Sequence, residues 1–87
     1  MASYQVKIKR SAEKELAALP VNIILRIKDA VFFLAENPFP KGHKKLKGFH
    51  NLYRIRVRDY RIIYTIHQNI LIIEILKIGN RKDIYNQ

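Results

Sequence analysis

Three arginines, Arg54, Arg56 and Arg61, are the residues whose type and spacing could do chemistry. Arg54 and Arg56 lie two positions apart in an alternating apolar–polar run, so both point to the same face of a predicted strand. Arg61 lies on the next predicted strand. A guanidinium group is a planar fork that matches phosphate geometry and keeps its charge near neutral pH. The pattern therefore indicates an anion site, with phosphate as the favoured ligand.

A plainer interpretation of these arginines stays open. Antiparallel sheets often have one solvated polar face, and basic strands discourage edge-to-edge pairing. The predicted register places Arg56 opposite Arg61, which costs on the order of some tenths of a kcal/mol. It also places Glu74 diagonal to Arg61, where the carboxylate would relieve part of this repulsion.

The C-terminal segment adds Arg81, Lys82 and Tyr85 shortly after the last predicted strand. In this register the chain leaves that strand near Leu76, opposite Arg61. We expect it to fold back over the same cationic face. An arginine or a tyrosine near a chain end would carry little weight by itself.

The charge distribution also favours a polyanionic partner. The formal net charge is +10, and residues 41–87 contain eleven of the 17 basic side chains but only three of the seven acidic ones. Such a surface binds nucleic acid through phosphates, with strong salt dependence and little sequence preference. Charge alone predicts affinity and no reaction.

Length and residue usage place further bounds. The 87 residues are expected to form one domain, 1–87, and the 48% hydrophobic content is enough for a real core. With no cysteine, the sequence has no mark of an oxidising compartment. It also has no signal-peptide pattern and no apolar run of the roughly 20 residues that span a bilayer. We therefore expect a cytoplasmic protein without membrane contact.

The first half of the chain predicts a strand followed by two helices. Tyr4, Val6 and Ile8 alternate with polar residues, as in a half-buried strand. Ser11 is the expected N-cap of a short helix that ends before Pro20, and Asn22 is the expected N-cap of a longer helix. That helix ends at Asn37-Pro38, and the loop from Phe39 to Gly48 carries four lysines, Lys41, Lys44, Lys45 and Lys47.

Three strands are predicted after this loop, over residues 52–57, 60–66 and 70–76. The gaps between them, Arg58-Asp59 and Gln68-Asn69, favour two-residue hairpin turns. The first hairpin then pairs Val57 with Tyr60, Arg56 with Arg61, Ile55 with Ile62 and Tyr53 with Tyr64. The second pairs Ile66 with Leu71, Tyr64 with Ile73 and Ile62 with Ile75. The apolar members share one face, so the fold class is α+β, with two layers and helices on one face of the sheet.

Other chemistries find little support in the sequence. His43, His50 and His67 are not spaced as metal ligands, and there is no carboxylate cluster, glycine-rich nucleotide loop or serine elbow. We expect no metal and no cofactor. The lysine-rich loop is interpreted as a phosphate-binding element, although a solubilising loop is nearly as good an interpretation.

The run LYRIRVRDYRIIY, residues 52–64, together with GNRKDIY at 79–85 and KLKG at 45–48, resembles the RelE/ParE superfamily of toxins from type II toxin-antitoxin systems. The likeness covers nearly the whole chain and favours the RelE branch. It implies a RelE-like fold of strand, helix, helix and a three-stranded antiparallel meander. It also implies an endoribonuclease that cleaves messenger RNA in the ribosomal A site by 2′-hydroxyl attack on the adjacent phosphate.

The resemblance also implies site residues. The family's two basic residues on the first hairpin strand correspond to Arg54 and Arg56, although lysine is frequent there, and the arginine on the next strand corresponds to Arg61. The remaining two, an arginine after the last strand and a tyrosine near the C-terminus, correspond to Arg81 and Tyr85. Further RNA-binding residues are expected at Lys41, Lys44, Lys45, Lys47, Arg58 and Lys82.

Two rival interpretations remain at this point. The ParE branch shares the fold but poisons DNA gyrase without nuclease activity, and the set Arg61, Arg81 and Tyr85 favours RelE over it. A non-enzymatic RNA-binding domain would offer exposed rings on its sheet, whereas the predicted register buries the strand tyrosines. The resemblance further implies a RelB-like antitoxin partner in a hetero-oligomer, which covers the cationic face or displaces the tail.

Overall fold

The structure is a computed structural model, and it describes residues 3–48 and 51–80. Two helices cover one face of a five-stranded mixed sheet. The strands are β1 (Gln5–Ile8), β2 (Lys44–Lys45), β3 (Leu52–Val57), β4 (Tyr60–His67) and β5 (Ile72–Asn80), and the helices are α1 (Arg10–Ala17) and α2 (Val21–Glu36). The strand order is β1-β5-β4-β3-β2. The predicted fold class and the side of the sheet that the helices cover are confirmed.

The N-terminal strand lies parallel to the C-terminal one, with Val6 opposite Ile73 and Ile8 opposite Ile75. All other strand pairs are antiparallel. Each helix begins earlier than predicted, because the backbone turns at Lys9 and at Pro20 rather than at Ser11 and Asn22. Lys9 still donates its N–H to Ile75 across the sheet, so α1 begins directly where β1 pairing ends.

The core lies between the helices and the sheet. Ile27, Val31 and Leu34 of α2 are buried against the inward residues of the central strands, chiefly Ile62, Tyr64, Ile66, Ile73, Ile75 and Ile78. At the other end of the sheet, the Ile78 N–H donates a hydrogen bond of 3.1 Å to the Glu15 carboxylate, which ties α1 to β5. Within the described residues, no helix is long and apolar enough to cross a membrane.

The first hairpin has the predicted register throughout, including Arg56 opposite Arg61. The second does not. Its turn contains four residues, Gln68 to Leu71, and β5 carries a bulge, so the register on β4 shifts between Ile63 and Tyr64. The observed pairs are Ile66 with Ile73, Tyr64 with Ile75 and Ile62 with Ile78, in place of the predicted Leu71, Ile73 and Ile75.

The bulge has a clear physical reason. Without an extra residue at Leu76, regular pairing from the turn onward would place Lys77 opposite Ile62 on the helix-covered face. The bulge instead buries Ile78, which is 1% exposed, and places Lys77 opposite Ile63. An unpaired buried ammonium group would cost several kcal/mol, whereas a buried isoleucine side chain stabilises the fold. β5 therefore extends to Asn80, beyond its predicted end at residue 76.

Candidate phosphate-binding site

The open face of the sheet collects basic side chains from three neighbouring strands. Arg54 and Arg56 of β3 and Arg61 of β4 point away from the helices, as predicted. The short strand β2 adds Lys44, which lies opposite Arg54. The loop from Phe39 to Gly48 is therefore not wholly irregular, because its two central lysines pair with β3 as an edge strand.

A cavity of about 210 Å³ opens among these side chains. In the described part of the chain, its lining consists of Gly42, Lys44, Arg54, Arg56 and Arg61, with no carboxylate and no imidazole among them. Gly42 has a φ of 92°, and a Cβ at this position would have open space around it to 4 Å, so the loop turns sharply there without filling the cavity. The cavity is therefore shaped and charged for an anion.

The three arginines differ in how firmly they are held. Arg61 is only 7% exposed, although it carries a full charge. Arg54 is half-buried and Arg56 is exposed. The Arg56 Nε donates a hydrogen bond of 2.8 Å to the carbonyl oxygen of Arg58, in the hairpin turn. Because Arg61 is largely shielded from water, its attraction for an anion is screened less than that of a surface arginine.

Glu74 is not the diagonal neighbour of Arg61, contrary to the sequence-based expectation. The bulged register places it opposite Thr65 on one side and Lys7 on the other. The residue opposite Arg61 is Gly79, which has no side chain.

The lysine-rich loop is held in place by an aromatic cluster that joins it to the core. The rings of Phe39 and Tyr53 are 5.5 Å apart, and those of Phe39 and His43 are also 5.5 Å apart. Tyr53 stacks on Tyr64 at 5.9 Å, and the Tyr64 hydroxyl donates a buried hydrogen bond of 2.9 Å to the Pro38 carbonyl. These contacts fix where β2, and with it Lys44, lies beside β3.

Burial also determines the chemistry of Tyr64. Its removal from water, with a smaller contribution from the neighbouring Tyr53, raises its pKa to about 12. Tyr64 is 0% exposed and cannot reach the open face. It is therefore neither a base for the cavity nor a ring on which an RNA base could stack. The predicted burial of the strand tyrosines is confirmed for Tyr64, whereas Tyr53 and Tyr60 are half-buried.

The other predicted residues divide into three groups. Lys44 lines the cavity, and Lys41 lines an adjoining groove of about 380 Å³ that shares Gly42 and Arg56 with it. Lys45, Lys47 and Arg58 are exposed but do not line the cavity. Arg81, Lys82 and Tyr85 lie outside the described residues. β5 is described up to Asn80, which pairs with Tyr60 beside Arg61.

Sequence reasoning identified the three arginines but missed the place of Lys44 and Gly42 in the cavity. Lys44 was expected to bind RNA as part of a phosphate-binding loop. Residues 43–46, HKKL, do not alternate apolar and polar side chains, so no local pattern marked this short strand. Of the histidines, His43 has a structural role, since its Nδ1 lies 2.8 Å from the Pro40 carbonyl oxygen. Among residues 3–48 and 51–80, no group of three or more potential metal ligands occurs.

The fold and this cavity define a class of protein, a small α+β domain that presents a cationic cavity on the open face of its sheet. Residues 6–85 match the family of ParE toxins of the parDE type II toxin-antitoxin system. The chain belongs to the RelE/ParE superfamily of type II toxins, and its relatives place it with the RelE type.

Two of these relatives are archaeal. Toxin RelE3 of Methanocaldococcus jannaschii is 33% identical over 86 residues, which cover 94% of this chain and 96% of the relative. The RelE structure in the RelE-RelB complex of Pyrococcus horikoshii OT3 superposes with a TM-score of 0.82 at 34% identity, covering 91% of this chain and 96% of that one. The isolated Escherichia coli RelE toxin, at 23% identity and a TM-score of 0.80, covers 97% of this chain and 93% of its own, and shares the fold.

Proposed function

We propose that this toxin is a ribosome-dependent endoribonuclease that cleaves messenger RNA in the A site and so inhibits translation in the cytoplasm. The observation that carries the proposal is the convergence of Arg54, Arg56 and Arg61 on one cationic cavity. The similarity to RelE toxins supports the same assignment.

The proposed reaction is attack of a ribose 2′-hydroxyl on the adjacent phosphate. The new bond joins the 2′ oxygen to phosphorus, the bond to the 5′ oxygen breaks, and the 2′ proton must be removed while the leaving oxygen gains one. The cavity arginines stabilise the extra negative charge of the pentacoordinate phosphate, because their positive charge is already in place when it develops. No metal or other cofactor takes part in the proposed reaction.

The proton transfers are assigned to the C-terminal residues. Tyr85 is the proposed base, since guanidinium groups near a phenol favour its ionised form and lower its pKa from the ordinary value of about 10. Arg81 is proposed to lie near the leaving oxygen and to stabilise its charge. A guanidinium group, whose pKa lies far above neutral pH, is a poor proton donor.

The ribosome has a specific part in this proposal. The cavity lining in the described part of the chain contains cations but no strong base or acid. We therefore propose that the ribosome supplies the in-line geometry of the 2′ oxygen, the phosphorus and the leaving oxygen. Lys41, Lys47, Arg58 and Lys82 are proposed to contact RNA phosphates around the cavity. Purified toxin should cut ribosome-free transcripts slowly or not at all.

A RelB-like antitoxin is the proposed partner. The structures similar to this chain include RelE–RelB complexes from Pyrococcus horikoshii and Methanococcus jannaschii, the second at 31% identity and a TM-score of 0.77. A surface with a net charge of +10 favours an acidic or amphipathic segment as the inhibitor. The resulting assembly is a toxin–antitoxin hetero-oligomer.

The second candidate function is gyrase poisoning, which the match to the ParE toxin family favours. Inducing the protein in cells and mapping messenger RNA ends by primer extension separates the two. The nuclease produces codon-phased cuts that Arg61→Ala and Arg81→Ala abolish and Tyr85→Phe strongly reduces. Arg26→Ala, an exposed change on α2, is the matched charge control and leaves the cuts intact. Intact messages with trapped gyrase–DNA complexes would instead establish the ParE activity.

A further inference from the structure

The short strand β2 carries two adjacent lysines with different surroundings. Lys44 lies opposite Arg54, and Lys45 lies opposite Tyr53. Side chains of paired strand residues point to the same face of a sheet. Lys44 therefore shares the open face with Arg54, Arg56 and Arg61, whereas Lys45 lies on the helix-covered side of the edge. Lys44 lines the cavity and Lys45 does not.

The position of Lys44 is unfavourable for the sheet itself. It creates a second like-charge pair, Lys44 with Arg54, beside the pair Arg56 with Arg61. Like charges directly opposite one another destabilise a sheet. A lysine at a sheet edge can reduce this cost by extending into water. In this structure, an anion bound in the cavity between the four basic side chains would also offset the repulsion.

The fold also holds Lys44 at this place. Lys44 follows His43, whose N–H donates to the Pro40 carbonyl at 3.0 Å and whose ring packs on Phe39. After β2, the Leu46 N–H donates to the Leu52 carbonyl at 2.9 Å. Anchors on both sides of β2 fix the backbone of Lys44, so only its flexible side chain must be ordered on binding a ligand.

We propose that Lys44 binds the RNA phosphodiester in the cavity together with Arg54, Arg56 and Arg61, as a substrate-contacting residue rather than as part of a general basic loop. The inference deepens the proposed nuclease function and rests on it for the identity of the substrate. The ammonium group of Lys44 supplies a compact charge beside the three wider, planar guanidinium groups. Arg54 and Arg56 occupy the two positions at which, by resemblance, lysine is frequent in the family.

The first test measures binding without cleavage. A fluorescent 2′-O-methyl RNA hexanucleotide, which lacks the attacking hydroxyl, is titrated with purified full-length toxin at low salt. Lys44→Ala should weaken binding about 10-fold or more, as expected for loss of a charge-assisted contact. Lys44→Arg should stay within about 3-fold of wild type, and Lys28→Ala, an exposed change on α2, should lose at most about 3-fold. A loss for Lys44→Ala no larger than that for Lys28→Ala would overturn the proposal.

The second test measures cleavage of messenger RNA on programmed ribosomes at saturating toxin. The single-turnover rate should fall about 10- to 100-fold for Lys44→Ala and recover with Lys44→Arg. Lys28→Ala, an exposed change on α2, should leave it unchanged. Urea unfolding of Lys44→Ala should show a midpoint equal to or above that of wild type, because the repulsion with Arg54 is removed. A rate within about 3-fold of wild type would overturn the role of Lys44 in the reaction.

The two tests distinguish this inference from the proposed function. If the wild-type toxin does not cut messenger RNA, but Lys44→Ala still weakens hexanucleotide binding selectively, the nuclease proposal fails and the phosphate site stands. Lys44-dependent binding of a poly-glutamate peptide, with no Lys44-dependent binding of the hexanucleotide, would replace RNA by an acidic protein segment as the ligand and overturn the inference.

Discussion

Tyr64 connects the hydrophobic core to the loop that completes the cavity. Its side chain is 0% exposed, stacks on Tyr53 and donates a hydrogen bond to the carbonyl of buried Pro38. That bond joins β4 to a segment 26 residues earlier in the chain. The hydroxyl thus stabilises the start of the loop that leads to Gly42 and Lys44, although it does not approach the open face.

Replacement of Tyr64 by phenylalanine tests this link. Tyr64→Phe removes the donor and leaves the Pro38 carbonyl buried without it, which should lower the free energy of unfolding by about 1–3 kcal/mol. Urea denaturation followed by circular dichroism measures the loss. Tyr53→Phe, a change at a half-buried ring, is the control and should cost less than about 0.5 kcal/mol. Equal stabilities of the two variants would show that the hydroxyl contributes little.

The same residue makes stability depend on alkaline pH. Burial raises the pKa of Tyr64 to about 12, against about 10 in the unfolded chain. Because the folded state holds the proton more tightly, the stabilisation is complete below pH 10 and is lost as the pH rises from about 10 to about 12. The loss should reach about 2–3 kcal/mol.

Tyr64→Phe lacks the titrating group, so its urea midpoint should fall less steeply than that of wild type over this pH range. Wild type and variant differ only in this hydroxyl, so the comparison isolates its contribution. Parallel curves for wild type and variant would contradict the assigned cause.

At the residue scale, the sequence predicted the convergence of the arginines but not the contacts that support it. Arg54, Arg56 and Arg61 share a face because strand alternation and a two-residue turn determine that relationship locally. The bond from Tyr64 to Pro38 depends on how a distant loop packs against the sheet, and no local pattern encodes it. The proposed roles of Arg81 and Tyr85 remain predictions, since both lie outside the described residues.

At the scale of elements, the two hairpins show where sequence reasoning succeeds and where it fails. The β3–β4 turn is short, so its register follows directly from its length. In the β4–β5 connection, Ile70 and Leu71 continue the apolar pattern but belong to the turn, and Leu71 adopts a φ of 55°. The spacing of Ile75 and Ile78, three positions rather than two, was the available sign of the bulge.

The bulge matters for the site because it sets the relation between β5 and Arg61. It places Gly79 opposite Arg61 and extends β5 alongside the cationic face to Asn80. The predicted register would have ended the strand near Leu76, with the chain departing earlier. Packing of Ile78 in the core and the geometry of the open face are therefore coupled through one extra residue.

The β3–β4 turn provides a prediction at this scale. Arg58 has a φ of 58°, in the left-handed region, whereas Asp59 does not have a positive φ. A non-glycine residue in the left-handed region costs about 1–2 kcal/mol, a cost that glycine does not have. Arg58→Gly should therefore be more stable than Asp59→Gly by about 1–2 kcal/mol, as measured by urea denaturation of both purified variants.

The comparison between these two variants is internally controlled. Both introduce one glycine at an exposed position of the same turn, so the added flexibility of the unfolded chain is the same. The hydrogen bond from Arg56 to the Arg58 carbonyl uses only main-chain atoms of residue 58 and can persist in Arg58→Gly. An Asp59→Gly variant as stable as Arg58→Gly would show that the turn is not strained at Arg58.

At the scale of the whole molecule, the two faces of one sheet have opposite character. The inward face is apolar and covered by the helices, and the outward face is cationic around the cavity. The excess of basic residues in the C-terminal half predicted this division, because that half supplies the central strands. Composition could not predict that part of the loop would form β2 and add Lys44 to the three arginines of the site.

This arrangement predicts a measurable salt dependence for RNA binding. Each phosphate neutralised by a protein cation releases counterions, so the logarithm of the binding constant falls with the logarithm of the salt concentration by about 0.7 per phosphate contact on a single strand. Arg56→Gln should weaken binding of a 2′-O-methyl hexanucleotide and reduce the magnitude of that slope by about 0.7. Fluorescence anisotropy between about 50 and 200 mM salt is sufficient to measure it.

Lys28→Gln is the matched control for this measurement. It removes the same formal charge from an exposed site on α2, on the helix side of the molecule. If the open face binds the strand locally, the control keeps the wild-type slope and loses little affinity, because charges farther than about 10 Å are largely screened at these salt concentrations. If both variants reduce the slope equally, RNA responds to the net charge of the molecule as a whole, and the cavity does not define its binding site.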